Sequence, residues 1–425
     1  MFVSQPGQHF PWLHPSNDTS TCSQAESARA STTSTYSRSM AAAGAAASSC
    51  RMRTLSRHLS AQHTDQHTAA AAQPVVTTAT RKPHDYRKMR FGIIGAGSIA
   101  QGSFAPALLS SEHAELVAVS RRDLSRARDF AAEHGGGCAA YSDPAALLAD
   151  PRVDAVIIAT PGDSHCELTL LAAKHGKHVL VEKPMAVNAA ECRRMIEGCA
   201  EAGVGLAVAY RRRTWPQVVR AQQLIAQGAI GRVVCVRTHY SGGPAFTGWQ
   251  LDPTAGGTML EMAVHRIEVL LNFAAPAKPT LVTALVEQVL ERKDGASIDD
   301  TDALLLRFDN GLVGVHSTIM TSPPRRDAVQ IDGTEGRIII ESLESGSSEI
   351  KLESADSGKV ETISVTPLGA RVFDLPMVDD FVKSIAEGGY RQPICDGVSG
   401  YYVSAVVDAA FQSARTGSHQ PVVQL

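Results

Sequence analysis

The fold is decided by a stretch near residue 90, which reads Met89-Arg90-Phe91-Gly92-Ile93-Ile94-Gly95-Ala96-Gly97-Ser98-Ile99-Ala100-Gln101. Its apolar run predicts a buried strand, and the glycines that follow predict a tight turn into a helix that begins near Ile99. Gly95 permits the turn, Gly97 lets backbone N–H groups approach a pyrophosphate, and Ala100 is small enough for helix and strand to pack closely. The helix N-terminus would then face negative charge. The pattern is typical of a dinucleotide site, but taken alone it equally fits an ordinary strand-to-helix turn.

Length and composition limit the class of protein. A chain of 425 residues has room for two or three domains of about 100–200 residues each. A net charge of −3 offers no basic field for nucleic acid or for an anionic membrane surface, and no apolar run approaches the ~18 residues of a membrane span. The eight cysteines show neither a C-x-x-C pair nor a zinc-ligand spacing, so we expect reduced thiols, no metal site and a cytoplasmic protein.

Residues 1–88 differ in kind from the remainder. Ser, Thr, Ala, His and Gln dominate there, and periodic apolar spacing is missing, so this segment is predicted to be disordered. Arginines recur among serines and acids are few, which is typical of a transit peptide and would place the protein in a mitochondrion or plastid. An over-long gene model that starts upstream of Met89 is the alternative.

Strands alternate with helices over residues 89–210. Apolar strands are predicted at 115–120, 155–159, 178–181 and 205–210, and the intervening helices end near 134, begin at Pro144, and run over 164–175 and 189–202. This alternation predicts a Rossmann domain with a parallel sheet. The turns Thr160-Pro161 and Glu182-Lys183-Pro184 follow two of these strands, at the carboxyl edge where such sheets bind ligands.

The end of the second strand predicts which dinucleotide is bound. In this fold an Asp or Glu about 20 residues past the glycines holds the ribose 2′-hydroxyl of NAD, whereas an Arg accommodates the 2′-phosphate of NADP. Here the sequence has Ser120, Arg121 and Arg122, which favours NADP and leaves NAD as the alternative. If both arginines are merely solvated, Asp123 would serve only to cap the next helix.

Beyond Tyr210 the pattern changes to long strands with few helices. Strands are predicted at 233–240, 281–289, 303–308, 313–319, 328–332, 337–341 and 349–353, and helices at 218–227, 258–273, 377–386 and 401–416. Turns such as Asp309-Asn310-Gly311 favour antiparallel pairing. Residues 211–425 are thus predicted to form an α+β domain with an open, mostly antiparallel sheet. Its helix at 258–273 carries Glu261 and His265 on one face.

Four motifs, in order and spacing, resemble the glucose-fructose oxidoreductase, inositol dehydrogenase and MocA family (Gfo/Idh/MocA). They are Gly95-x-Gly97-x-x-Ala100, Glu182-Lys183-Pro184, Tyr210-x-Arg212-Arg213 and Gly256-Gly257-x-x-x-Glu261-x-x-x-His265. The resemblance covers residues 89–425. It implies a Rossmann domain followed by an open sheet that supplies the substrate pocket and often the oligomer interface, so a homo-oligomer is expected. It also implies an NAD(P)-dependent oxidoreductase that acts on a secondary alcohol of a sugar, polyol or cyclic diol.

Such a reaction needs a group that accepts the hydroxyl proton. The resemblance implies that Lys183 is catalytic, and His265 is the best candidate for the proton acceptor because its reference pKa lies near neutrality. Glu261, one turn earlier, could fix the tautomer of His265. The family usually has Asp at that position, so the longer Glu261 could contact the substrate instead.

The remaining candidate residues are predicted to contact either the substrate or the cofactor. Arginine and aromatic side chains suit a hydroxylated or anionic ligand, so the predicted substrate pocket consists of Tyr210, Arg212, Trp249 and His265. By resemblance alone, His165 lies beside the nicotinamide, and Thr160 and Pro161 lie beside the cofactor ribose. The full set of predicted cofactor-binding residues is Gly95, Gly97, Ser98, Ile99, Ala100, Ser120, Arg121, Arg122, Thr160, Pro161, His165, Glu182 and Lys183.

Two other functions are compatible with these motifs. Some members of the family that the chain resembles are NADP-sensing regulators without turnover, although the retention of both Lys183 and His265 argues against that function here. Others are glycoside hydrolases in which a tightly held NAD acts as a transient redox auxiliary. All three functions predict a small-molecule ligand, with neither nucleic acid nor membrane as a partner.

Overall fold

The computed structural model describes residues 88–134, 137–243, 246–252, 256–291, 295, 297–344, 347, 349–369, 372–386 and 391–425. The segment predicted to be disordered, up to residue 87, lies outside the described residues. Within them the predicted fold class is confirmed: a parallel sheet comes first in the chain and a larger, mostly antiparallel sheet follows.

The first sheet has six strands in the described part of the chain, in the order β3-β2-β1-β4-β5-β6, and all neighbouring pairs are parallel. Its strands are β1 (Met89–Ile94), β2 (Ala114–Ser120), β3 (Ala139–Tyr141), β4 (Ala155–Ile158), β5 (His178–Val181) and β6 (Leu206–Val208). All four residues of β4 are buried, as expected where helices cover both faces of a parallel sheet. The strand order reverses direction between β1 and β4, which places a crevice at their carboxyl ends.

Five helices connect these strands in the described residues: α1 (Ala105–Ser110), α2 (Leu124–His134), α3 (Pro144–Ala149), α4 (His165–Lys174) and α5 (Ala189–Glu201). A π-helical segment, Ala100–Phe104, comes before α1. Pro106 stands in the first turn of α1, directly after the π-helical segment, and the helical backbone continues through it to Ser110. Asp123 does cap α2, since its Oδ1 accepts the Ser125 N–H at 3.0 Å.

The second sheet has the strand order β14-β13-β12-β11-β7-β10-β9-β8-β15 in the described residues. Its strands are β7 (Val233–Ser241), β8 (Pro279–Glu287), β9 (Thr301–Phe308), β10 (Val313–Ile319), β11 (Arg326–Gly333), β12 (Gly336–Ile340), β13 (Glu349–Ser354), β14 (Val360–Ser364) and β15 (Gln420–Pro421). Its pairs are antiparallel except β7 with β10. The sequence analysis did not predict β14, because its residues are largely exposed and show no apolar alternation.

The second half contributes α6 (Pro216–Ala226), α7 (Val264–Ala274), α8 (Leu375–Ala386) and α9 (Gly397–Thr416). The helix predicted at 258–273 is π-helical over Met259–Ala263 and α-helical afterwards. Wide turns of this kind are frequent at functional sites, and this one contains Glu261. In the described residues, no helix combines the length and the hydrophobicity that crossing a membrane requires.

Among the described residues, helices cover one face of the second sheet and leave the other face uncovered. α7 packs on β7 and β10, and α9 packs on β8. On β9, Leu304 faces the helices and is 1 % exposed, whereas Leu305 faces away and is 55 % exposed. α8 returns to the first sheet, where it packs against α1 and β2, and the Phe381 ring lies 6.3 Å from that of Phe91. The division of the chain at residue 210 stays a prediction.

Two neighbouring leucines of α1 test which side of this helix supports the core. Leu108 is 1 % exposed and Leu109 is 55 % exposed. Leu108→Ala should lower the free energy of unfolding by roughly 2–5 kcal/mol, since it leaves a cavity, whereas Leu109→Ala should change it by less than about 0.5 kcal/mol. Urea unfolding followed by circular dichroism measures both. Equal effects of the two substitutions would contradict the packing described here.

Candidate active site

A cavity of about 950 Å³ lies along the carboxyl edge of the first sheet. The first half supplies most of its wall: the glycine turn after β1, the residues after β2, the turn after β4, and Glu182 with Lys183. The second half supplies Thr247, Gly248, Gln250 and Glu261. The cavity therefore extends from the glycine turn to the helix that carries Glu261.

The glycine turn leaves room for a ligand to approach the backbone of the protein. Gly95 has φ +96°, and a Cβ on it would lie 2.7 Å from the Ala159 carbonyl, so the protein itself requires glycine there. Gly97 differs, since the nearest atom in the described chain to a Cβ built on it would be the Gly95 oxygen at 4.0 Å. Its missing side chain keeps the cavity wall open rather than serving protein packing. This cradle suits the pyrophosphate of a dinucleotide, next to the helix start formed by Ser98 and Ile99.

Positive charge gathers where the wall passes the end of β2. Arg121, Arg122 and Arg126 all line the cavity, and Nη1 of Arg121 donates to the Ala96 carbonyl at 2.9 Å. Asp123 lines the cavity as well, and its carboxylate accepts the N–H groups of Ser125 and Arg126 at 3.0 and 3.3 Å and lies 3.6 Å from Nε of Arg126. Sequence reasoning missed Arg126, which lies in the first turn of α2, just after the segment that carries Arg121 and Arg122.

Lys183 links the two halves of the chain. Its Nζ donates to the Glu261 carbonyl at 3.1 Å and lies 3.4 Å from Oε2 of the same residue. Gln250, which the sequence analysis did not single out, donates from Nε2 to that Oε2 at 3.0 Å. The carboxylate of Glu261 thus contacts Lys183 and Gln250 rather than His265. Its Oε1 is buried without a hydrogen-bond partner among the described residues.

Glu182 is a buried carboxyl on the cavity wall. Its Oε2 accepts the backbone N–H of Lys183 at 2.5 Å. Burial raises its pKa to about 7, against the opposing effects of the Lys183 and Arg211 cations. Glu182 can therefore exist in both protonation states near neutral pH.

His165 lies behind the wall rather than on it. One ring nitrogen, Nδ1, is 2.9 Å from the Pro184 carbonyl, and the other, Nε2, is 2.8 Å from the Thr160 carbonyl. The ring thereby joins the turn after β4 to the cis Lys183–Pro184 turn. Burial lowers the pKa of His165. In this arrangement the side chain supports the wall, and the predicted Thr160 and Pro161 line the cavity together with Ala159 and Gly162.

The predicted substrate residues form a second layer. His265 is buried, and burial, followed by the charge of Arg212, lowers its pKa well below the usual value. Arg212 lies 3.9 Å from Asp327, and its Nε and Nη1 have no partner within the described chain. Burial, together with Arg266, lowers the pKa of Arg212 to about 9. Tyr210 is buried as well, and the side chain of Trp249 lies outside the described residues.

Of the predicted cofactor residues, eleven line the cavity, namely Gly95, Gly97, Ser98, Ile99, Ser120, Arg121, Arg122, Thr160, Pro161, Glu182 and Lys183. Ala100 is fully buried instead, where its small side chain lets helix and strand approach. The cavity is therefore lined by Lys183 and by the carboxyl groups of Glu182 and Glu261, from two parts of the chain, and His265 is buried outside this lining.

Comparison with known proteins identifies the family. Residues 89–210 match the oxidoreductase family with an NAD-binding Rossmann fold (GFO/IDH/MocA), and residues 218–339 match the GFO/IDH/MocA C-terminal domain. The chain belongs to this family, and it is an NAD(P)-dependent oxidoreductase of the dehydrogenase and reductase type.

Three similar proteins carry informative names. The trans-1,2-dihydrobenzene-1,2-diol dehydrogenase of Mus musculus is 33% identical over 60% of this chain and 75% of its own length. The D-xylose 1-dehydrogenase (NADP(+)) 2 of Haloferax volcanii is 30% identical over 78% of this chain and 98% of its own length. A levoglucosan dehydrogenase, solved in complex with NADH and levoglucosan, superposes with a TM-score of 0.72 at 26% identity, covering 80% of this chain and 100% of that one.

Two glycines test the cradle without requiring a substrate. Gly97→Ala should leave the free energy of unfolding unchanged, because its Cβ has room, yet weaken dinucleotide binding at least about tenfold, since the added methyl group occupies the ligand's space. Gly102→Ala, whose Cβ would meet no described atom within 4 Å, is the matched control and should leave affinity unchanged. Isothermal titration calorimetry measures the dinucleotide affinity of both variants. Unchanged affinity in Gly97→Ala would mean that the dinucleotide binds elsewhere.

Proposed function

We propose that the protein transfers a hydride between NADP(H) and a secondary alcohol of a sugar, polyol or cyclic diol. The observation that carries this proposal is the contact of Lys183 with Glu261 at the end of a dinucleotide-sized cavity. The names of the relatives support it, because a diol, an aldose and an anhydrosugar all present a secondary hydroxyl or the related carbonyl. The nicotinamide supplies the hydride chemistry when bound.

The protein's own residues would manage the proton. Oxidation of an alcohol releases the hydroxyl proton, and a neutral imidazole can accept it. His265 fits this role because burial and the neighbouring Arg212 keep it uncharged at neutral pH. Lys183 would hold the alcohol oxygen through an N–H donor and stabilise its developing negative charge.

Glu261 would then act on Lys183 and on the substrate. Its Oε2 accepts from Lys183 and Gln250, which fixes the ammonium group at the cavity. Its Oε1 has no partner among the described residues but is buried, so the carboxylate would have to rotate for this oxygen to accept a second hydroxyl of the substrate. This assignment favours polyols and diols over simple alcohols, because only they carry the second hydroxyl.

NADP is proposed in preference to NAD. Three arginines line the cavity at the end of β2, and the nearby carboxylate of Asp123 is engaged with its own helix. The relatives do not decide the question, since one is named for NADP(+) and another was solved with NADH.

Calorimetric titration with the two dinucleotides tests this preference. Charge-assisted bonds from Arg121 or Arg122 to a 2′-phosphate contribute roughly 1.5–3 kcal/mol each, so NADP⁺ should bind about ten- to a hundredfold more tightly than NAD⁺. Ser120→Asp should move the preference toward NAD⁺, because it adds a carboxylate beside the site. Equal or tighter binding of NAD⁺ by the wild type would contradict the proposal.

Substitution of the proton-handling pair tests the reaction. Lys183→Met and His265→Ala should each lower kcat by about 10²–10⁴, the usual contribution of a general acid–base group, and their effects should be non-additive because they serve one transfer. A panel of sugars, polyols and cyclic diols read by NADPH absorbance measures kcat. Lys174→Met is the matched control, since that lysine is exposed in the last turn of α4, outside the cavity lining, and should leave kcat unchanged. A double variant whose loss in kcat equals the product of the two single losses would mean that Lys183 and His265 act independently. Full activity of either single variant would refute its assigned role.

The open face of the second sheet supports a further part of the proposal. Leu285, Leu305 and Val313 are 64 %, 55 % and 42 % exposed on adjacent strands, and exposed apolar side chains of this kind favour association. We therefore propose a homo-oligomer that forms through this face. On the cysteine spacing of the sequence we propose the cytoplasm as its compartment.

A further inference from the structure

We propose that Asp299 is a positioning residue: by capping the helix that begins at Thr258, it sets where Glu261 meets Lys183. The proposal rests on the function proposed above only in taking these residues as the active site. Asp299 belongs to the segment just before β9, far from the helix in sequence, and no residue of the sequence analysis pointed to it.

Asp299 supplies the helix with partners that the helix itself lacks. The first N–H groups of a helix have no acceptor within it, and the side chain of Thr258 forms no cap. The carbonyl of Asp299 accepts the Thr258 N–H at 3.0 Å, and its Oδ2 accepts the Met259 N–H at 2.7 Å. A residue 40 positions away therefore caps the helix in place of a local Ser, Thr or Asp.

The paired glycines before the helix follow from this contact. Gly257 has φ +85°, and a Cβ on it would lie 2.2 Å from Oδ1 of Asp299. A Cβ on Gly256 would lie 2.0 Å from the Gln250 carbonyl. Gly257 thus lets Asp299 approach the start of the helix, and Gly256 lets the Gln250 backbone pass close by. Asp299 caps the helix that carries Glu261, and Gln250 donates to the Glu261 carboxylate.

The segment that carries Asp299 is anchored on both sides. Ile298 is buried in a cluster with Tyr240, Phe246 and Met320. The Asp300 carboxylate accepts the N–H groups of Val289 and Leu290 at 2.8 and 2.9 Å. Burial, together with the nearby Asp302 and Asp300, raises the pKa of Asp299 to about 6, even though the Met259 N–H favours the ionised form. Asp299 is therefore ionised at neutral pH, and its bond to Met259 is charge-assisted.

The cap is close enough to the active site to act on it. Glu261 lies two residues after Met259, inside the π-helical turn Met259–Ala263. Both acceptors of the Lys183 ammonium, the Glu261 carbonyl and Oε2, belong to that turn. If the first turn frays, both acceptors move together, and Lys183 loses its fixed position.

Two measurements on the full-length protein, neither of which uses turnover, test the proposal. Hydrogen exchange followed by mass spectrometry reports on residues 257–263, and the acylation rate of Lys183 by acetic anhydride, relative to that of the exposed Lys174, reports on the ammonium group. In Asp299→Ala the exchange and the Lys183 rate should each rise about fivefold, the factor expected from the loss of a helix cap. Asp299→Asn should raise both rates less, by about twofold, because its amide oxygen can accept the same N–H but carries no charge to strengthen the bond.

Asp300→Asn is the matched control from the same segment. It weakens the anchor at Val289 and Leu290 and should lower Tm without changing the relative rate of Lys183. A rise in exchange without a change at Lys183, or equal changes in Asp299→Ala and Asp300→Asn, would overturn the proposal. If no substrate is ever turned over, the proposed function fails while this test remains decisive.

A second comparison covers the case in which Asp299→Ala does not fold. Between about pH 8 and pH 5 the wild-type Asp299 takes up a proton, since its pKa is about 6, and the relative rate of Lys183 should change more than it does in Asp299→Asn, whose amide does not titrate. Other groups near Lys183, Glu182 among them, titrate alike in both proteins and cancel in the comparison. Identical pH dependence in the two proteins would overturn the proposal.

Discussion

The hydrogen bonds from Lys183 to Glu261 are the contact on which the site depends. Lys183 follows β5 of the parallel sheet, at the carboxyl edge where such sheets bind ligands. Glu261 comes from a helix of the second half, and its carbonyl and carboxylate both lie within reach of the ammonium group. Without this contact the first half would be a dinucleotide-binding domain with an open crevice. With it, the crevice ends at a group that can bind an alcohol oxygen.

Burial sets the protonation states around that contact. It raises the pKa of Glu182 to about 7 and lowers that of His265 well below its usual value. Both shifts have one physical cause, because a site that excludes water disfavours the charged form of an acid and of a base alike. The cations nearby act differently on the two groups: Arg212 adds to the shift of His265, whereas Lys183 opposes that of Glu182.

Much of the fold could be predicted from the sequence, because its signals are local. Apolar runs bounded by glycine or proline mark the parallel strands, and Asp309-Asn310-Gly311 marks the antiparallel turn between β9 and β10. The cavity residues that follow the parallel strands could be predicted as well, because they stand next to these strands in the sequence. Gln250, Arg126 and the cap by Asp299 were not found, since each depends on contacts between segments distant in sequence or on which helix face meets the cavity. Tyr210, Arg212 and His265 have the right chemistry, but the cavity wall described here lies in front of them.

A crystal structure of the protein with NADP⁺ would test the central claim most directly, namely that one cavity joins the dinucleotide to Lys183 and Glu261. The account predicts that the adenosine 2′-phosphate lies against Arg121, Arg122 or Arg126, that the pyrophosphate crosses Gly97, and that the nicotinamide ring ends beside Lys183. A nicotinamide ring bound away from Lys183 and Glu261, with the lysine still paired to the carboxylate, would contradict it.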